Sequence, residues 1–281
     1  MKYYDLNIRG NSYESDLRLI LEANRLGWDY VNLIYSSDKY DSALKYKKDL
    51  EDELANIQEL ASTQKEANVQ ELANTDELAN IQELANTDEL ANIQKVANLK
   101  NKTDFEFAVE INEKNPNDIR KISRKFRNKT KFISVFGGDS KINRVACENI
   151  QIDLLSRPYF KRRDCGINHI LAKQAYENNV AIELCFKDIL SSYLSYRSKI
   201  LSHFREIIKL HRKFKFPLLI TSGSSSIFDI RSPRDISATF TSLGLKEDEI
   251  KSCLNSYPES IISFNNDRKN MIVLGVKEID K

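Results

Sequence analysis

Histidine is scarce in this chain, with His169, His203 and His211 the three among 281 residues. A metal-dependent hydrolase needs histidine and carboxylate ligands converging from several strand ends, and three scattered imidazoles supply no such set. His203 and His211 lie eight positions apart; on one helix that is about 12 Å along the axis, too far to share an ion. Cysteine is sparse too. Cys147, Cys165, Cys185 and Cys253 are separated by 18, 20 and 68 positions, which leaves no C-x-x-C pair and no disulfide framework, so free, mostly buried thiols are expected. The few glycines form no dinucleotide fingerprint, because the turn after the first strand reads Arg9-Gly10-Asn11-Ser12. No G-x-S-x-G elbow offers a serine nucleophile. No apolar run nears the roughly 20 residues that cross a bilayer. The start, Met1 to Ile8, reads as a strand without an apolar signal core, so a cytoplasmic protein with no membrane partner is expected.

What is present is charge, unevenly spread. The formal charge of +2 conceals a segment, residues 53–100, that carries −6 and leaves +8 elsewhere. A basic body suits a polyanionic partner. The acidic segment is eight hexads, ELANIQ, ELASTQ, KEANVQ, ELANTD, ELANIQ, ELANTD, ELANIQ and KVANLK. Six residues advance a helical side chain by about 240°, so the leucines spiral around the axis and form no stripe to bury. This predicts a surface excursion, helical or disordered.

Around that excursion, short apolar runs alternate with helical patterns. Strands are expected over 3–8, 28–34, 105–111, 132–136, 150–154, 180–184, 217–221 and 271–276. A helix with Leu17, Ile20 and Leu21 on one face ends at Gly27; others start near Pro116, at Ile142 and past Gly166, run from Ile200 to Phe214, and begin at Ser232-Pro233 with a serine cap and proline at the first position. Eight strands joined by helices favour a closed α/β barrel of TIM type, a single domain over 1–281 interrupted by the surface insert at 53–100. A doubly wound open sheet is the runner-up.

The chain centres on Asp153 to Lys173, which reads strand, basic loop, helix. Arg157, Lys161, Arg162 and Arg163 fall within seven positions, Pro158 excludes helix at Arg157, and Ile167, Ile170, Leu171 and Ala175 mark an apolar helical face. Cations held together on such a loop either face solvent or meet an anion, of which phosphate is the usual one. His169 stands where a helix N-terminus offers donors to phosphate, or else packs. Ser222 and Gly223, after the seventh strand, sit where barrels often bind phosphate; a flexible loop is the alternative.

Ser156-Arg157-Pro158, Arg163, Gly166 through Lys173, Asn178 through Glu183, Ser222-Gly223, Arg231-Ser232-Pro233-Arg234-Asp235, Leu243-Gly244 and Gly275-Val276 together resemble the archaeal ribonuclease P protein component 3 family. The resemblance covers the chain except the hexads. It implies a barrel related to the polymerase-and-histidinol-phosphatase hydrolases but without their metal ligands. It also implies a subunit that supports a catalytic RNA in removing the 5′ leader from precursor tRNA. Implied partners are that RNA, precursor tRNA and the other protein subunits, component 2 among them. Mg2+ would serve the RNA, with no cofactor in this chain and no catalytic residue. The RNA- or partner-binding candidates are Arg157, Lys161, Arg162, Arg163, His169, Ser222, Gly223, Arg231 and Arg234. The competing readings are a metal-dependent phosphoesterase of the same superfamily and a pure protein scaffold.

Overall fold

A computed structural model describes residues 1–71, 103–268, 271–273 and 276–277. Seven parallel strands lie in sequence order: β1 (Tyr4–Arg9), β2 (Tyr30–Ser36), β3 (Asp104–Ile111), β4 (Ile133–Phe136), β5 (Leu154–Ser156), β6 (Ala181–Cys185) and β7 (Leu218–Thr221). Parallel neighbours require a crossover, and here helices supply it on the outside. They are α1 (Tyr13–Leu26), α2 (Tyr40–Ala43), α3 (Lys47–Glu71), α4 (Pro116–Arg127), α5 (Ser140–Glu148), α6 (His169–Glu177), α7 (Phe186–Leu190), α8 (Leu194–Phe214), α9 (Pro233–Ser242), α10 (Glu247–Lys251) and α11 (Tyr257–Asp267).

The two edges of the sheet meet. The Arg9 amide donates to the Ser224 carbonyl at 2.7 Å and the Ser222 amide donates to Asp5 Oδ1 at 3.1 Å. β1 and β7 thus nearly close a barrel of seven strands, where the sequence reading expected eight. Met271–Val273 pairs antiparallel with Val276–Lys277 in a separate two-stranded sheet instead. β1 and β7 already reach each other, and α11 covers the N-terminal mouth. Its Ile261 and Ile262 join Tyr4, Leu6, Ile34, Ala108, Phe132, Leu154, Ala181 and Leu219 in an inner apolar cluster, each leucine or isoleucine there contributing about 1.5–3 kcal/mol by burial.

β5 begins at Leu154, four residues later than the expected start. Ile152 closes a turn onto the Asn149 carbonyl at 2.9 Å. Asp153 is then held by Ile133 N at 2.7 Å, Arg127 Nη1 at 2.7 Å and Asn265 Nδ2 at 2.8 Å, so its side chain bridges β4, α4 and α11 and pins the strand entrance. The helix after the basic loop starts at His169, with Asn168 Oδ1 accepting from Leu171 N at 2.9 Å. Leu171, Ala172 and Ala175 are its buried face. Ile170, expected on that face, is 53% exposed, because Ile167 belongs to the loop and sets no helical phase.

Local signals otherwise act as their chemistry dictates. Gly27 ends α1 at φ +93°, a left-handed geometry that a side chain resists. Asn115 Oδ1 accepts from Asn117 N and Pro116 opens α4, while Ser232 accepts from Asp235 N and Pro233 opens α9. The four cysteines are free and buried. The first three hexads and Glu71 lie within α3, which is anchored at its start by buried Leu50 and Leu54; the rest of the repeat, residues 72–100, lies outside the described residues.

Candidate nucleic-acid interface

The basic loop, residues 157–168, leaves β5 at the rim formed by the strands' C-terminal ends. Asn143 of α5 fastens it, its Nδ2 donating to the carbonyls of Pro158 at 3.0 Å and Gly166 at 2.9 Å. Gly166 adopts φ +76° under the Pro158 carbonyl, where any side chain would collide. Arg157 and Lys161 adopt φ +47° and +56°, unusual for residues with a Cβ.

That fastening divides the cations. Arg157 turns inward, with Nη2 3.0 Å from Cys185 Sγ and Nε 3.2 Å from Asp188 Oδ2. Burial works against its charge, but the Asp188 and Glu183 carboxylates, with the Cys185 sulfur accepting a hydrogen bond, outweigh burial and hold the guanidinium protonated. Burial pushes the Asp188 carboxyl up and the Cys185 thiol up to about 12. Arg162 grips Asp164 through Nε at 2.5 Å and Nη2 at 3.0 Å, and donates to the Gly138 carbonyl at 3.1 Å; the Asp164 carboxyl is held below its usual range by that guanidinium. Lys161 and Arg163 are exposed and face no carboxylate among the described residues. His169 is exposed in the first turn of α6.

The loop after β7 packs beside Arg157. Ser222 and Gly223 are both buried. Gly223 has φ +63°, and a Cβ there would overlap Cys185 Sγ and lie 3.1 Å from Arg157 Nη2. These residues therefore seal the rim from within. Arg231 donates to the carbonyls of Phe228 at 2.6 Å and Ile230 at 2.8 Å, stiffening its own loop, while Arg234 is exposed at the start of α9. Of the nine sequence candidates, Lys161, Arg163, His169 and Arg234 present their side chains outward.

Below the rim the lumen is polar, a feature not expected from sequence. Glu183 of β6, fully buried, accepts from Ser156 Oγ at 2.5 Å, Thr221 Oγ1 at 2.5 Å, Arg157 N at 3.2 Å and the Asn7 amide. Arg9 and Glu110 form a bidentate pair, with Nη2 to Oε1 at 2.8 Å. Burial raises the Asp5 carboxyl to about 6. The one available signal was a glutamate inside the apolar run Ala181-Ile182-Glu183-Leu184. With four donors on it, Glu183 ties β1, β5, β6 and β7 together. Among the described residues no three His, Cys, Asp or Glu side chains cluster as a metal ion requires, and no helix is long and apolar enough to cross a membrane.

Residues 2–270 match the family model described as RNase P subunit p30. This chain belongs to that family. As a member of the RNase P subunit p30 family, it is 39% identical over 279 residues to ribonuclease P protein component 3 of Methanothermobacter thermautotrophicus, covering 99% of this chain and 95% of the relative. It is 40% identical over 170 residues to the component 3 protein of Methanococcoides burtonii, covering 60% of this chain and 70% of that one. Among solved structures, a chain in the cryo-EM structure of archaeal ribonuclease P with mature tRNA superposes with a TM-score of 0.67 at 26% identity, covering 99% of this p30 family chain and 98% of that chain.

Proposed function

We propose that this chain is a protein subunit of ribonuclease P, the ribonucleoprotein that endonucleolytically removes the 5′ leader from precursor tRNA. In this reading it acts in the cytoplasm beside the catalytic RNA and further protein subunits, component 2 among them. The observation that carries the reading is the match to a chain of archaeal ribonuclease P along nearly the whole length of both chains. The chain supports the RNA and performs no chemistry itself, and Mg2+ belongs to the RNA. Glu183 and the inward-turned Arg157 accord with this, since both brace the rim. Lys161, Arg163, His169 and Arg234 are the candidate contacts to phosphate or to a neighbouring subunit.

The test is reconstitution of precursor-tRNA cleavage from the RNA and the protein subunits, with and without this chain. Addition should raise the cleavage rate or lower the Mg2+ needed, and no change on addition would overturn the assignment. Release of phosphate from a phosphoester by the purified chain alone would instead favour the phosphoesterase reading.

A further inference from the structure

We propose that the outward faces of α4 and α5 form a second docking surface, for the phosphate backbone of structured RNA. This rests on the reading of the chain as a ribonucleoprotein subunit. It concerns a face built by the β3–β4 and β4–β5 crossovers, apart from the basic loop.

Residues 116–148 hold nine Lys and Arg against three Asp and Glu, a net of +6 in a chain whose total is +2. Within that segment Arg127, Lys129 and Lys131 are neutralised by Asp153, Asp41 and Glu106 at 2.7, 2.9 and 2.9 Å. Arg120 and Arg144 share one carboxylate, Glu148, at 3.9 and 2.7 Å. Lys121, Arg124, Lys125 and Lys141 are exposed, with no carboxylate paired to them among the described residues. The first three stand at i, i+3 and i+4, so they share one face of α4, opposite buried Ile119, Ser123 and Phe126.

Helix electrostatics does not account for this arrangement. Cations in a last turn offset the helix dipole, which covers Arg124 and Lys125. Lys121 is mid-helix, and Lys141 sits in the first turn of α5, where a positive charge is disfavoured and where the one nearby carboxylate, the cap Asp139, accepts from the Lys141 and Ile142 amides instead of pairing with the ammonium. Like charges at i and i+4 also cost the isolated helix a few tenths of a kcal/mol, a penalty that a polyanion reverses. None of the large exposed apolar side chains lies on α4 or α5. The face thus offers neither a stacking platform for bases nor an apolar anchor for a protein or a lipid surface, only charge, which fits sequence-independent phosphate contact.

The experiment titrates the full chain against in vitro transcribed ribonuclease P RNA of Methanothermobacter thermautotrophicus at KCl from about 50 to about 400 mM. The combined variant Lys121→Ala, Arg124→Ala, Lys125→Ala should lose roughly tenfold in affinity near 150 mM, and its slope of log affinity against log salt should shrink by about 2. Lys129→Ala, whose cation is already paired, should leave the slope alone. Circular dichroism and thermal melting confirm that each variant folds. An unchanged slope in the triple variant, or no retention of the RNA by the wild-type chain, overturns the surface, as does a defect confined to binding another protein subunit. Cleavage assays separate the two levels: wild-type chain that stimulates cleavage while the triple variant binds normally sinks only this surface, whereas wild-type chain without effect on cleavage sinks the functional reading.

Discussion

The Arg157 guanidinium and the Asp188 carboxylate lie 3.2 Å apart just under the barrel rim, with side chains only 15% and 17% exposed. The pair sits between the basic loop and the start of α7, and Tyr159 adds a hydrogen bond to the same carboxylate at 2.8 Å. Removing the cation leaves a mostly buried carboxylate without its counter-charge, a change that typically costs about 3 kcal/mol or more. Arg157→Ala should therefore lower the urea midpoint markedly while leaving the salt slope of RNA binding as it was. A variant of native stability with a reduced salt slope would reassign Arg157 to the outside.

Asp5 links stability to pH. Its folded-state pKa of about 6 lies above the ordinary carboxylate value of 3.8, burial being the main cause. The protonated form is thus favoured by folding. Its contribution is full below about pH 4 and is lost as the pH rises through about 6, a loss of about 3 kcal/mol by pH 7. Asn at this position keeps an oxygen for the Asn7 and Ser222 amides, which lie 3.2 and 3.1 Å from Asp5 Oδ1. Asp5→Asn should match the wild type in unfolding free energy near pH 4 and exceed it by about 2–3 kcal/mol at pH 7. Parallel stability curves across that range would contradict the assignment. Glu249, held down to about 2 by Arg212, works in the opposite sense, because its contribution appears above the ordinary glutamate value and is lost only in acid. The difference between variant and wild type isolates Asp5.

Element types could be read from sequence where one local rule governed, and misread where distant residues decided. Gly27, Pro116 and Ser232-Pro233 mark helix ends through backbone geometry that each residue carries with it. The start of β5 depends on Asp153 finding partners on α4 and α11, from Arg127 to Asn265, and nothing in Ile150–Leu154 announces them. The strand expected at 271–276 met the β-propensity rule, but whether it completes a barrel depends on β1 reaching β7 first. For the candidate site, the spacing of Arg157, Lys161, Arg162 and Arg163 placed the four cations on the loop between β5 and α6. It could not tell which cations turn inward, since that is set by Asp188, Cys185, Asp164 and the Gly138 carbonyl, themselves up to 31 positions away in the case of Asp188.

Gly166 and Gly27 make a matched pair. Both have positive φ, +76° and +93°, but nothing lies within 4 Å of a Cβ built on Gly27, while one on Gly166 overlaps the Pro158 carbonyl and comes 2.8 Å from Asn143 Nδ2. Gly27→Ala should cost about 1 kcal/mol, the ordinary left-handed penalty. Gly166→Ala carries that penalty plus a collision with backbone, and should cost at least about 3 kcal/mol. Chemical denaturation of both variants checks the ratio, and equal costs would mean that the Asn143 clamp yields easily.

The division of the loop cations makes a sharper prediction than their number. Lys161 and Arg163 are exposed with no carboxylate paired to them among the described residues, whereas Arg162 is bound to Asp164 and to the Gly138 carbonyl. If the loop meets phosphate, each free cation displaces counterions on binding and each paired one largely does not. The double variant Lys161→Ala, Arg163→Ala should then reduce the slope of log affinity against log salt by about 1.5 with little change in melting temperature. Arg162→Ala should leave most of the slope intact but loosen residues 157–166, because Asp164, which also accepts from the Gly166 amide at 3.2 Å, loses its partner. Faster amide hydrogen exchange over that loop is the expected readout. Should Arg162→Ala flatten the salt dependence as deeply as the double variant does, the Asp164 contact opens on binding and all three cations face the RNA.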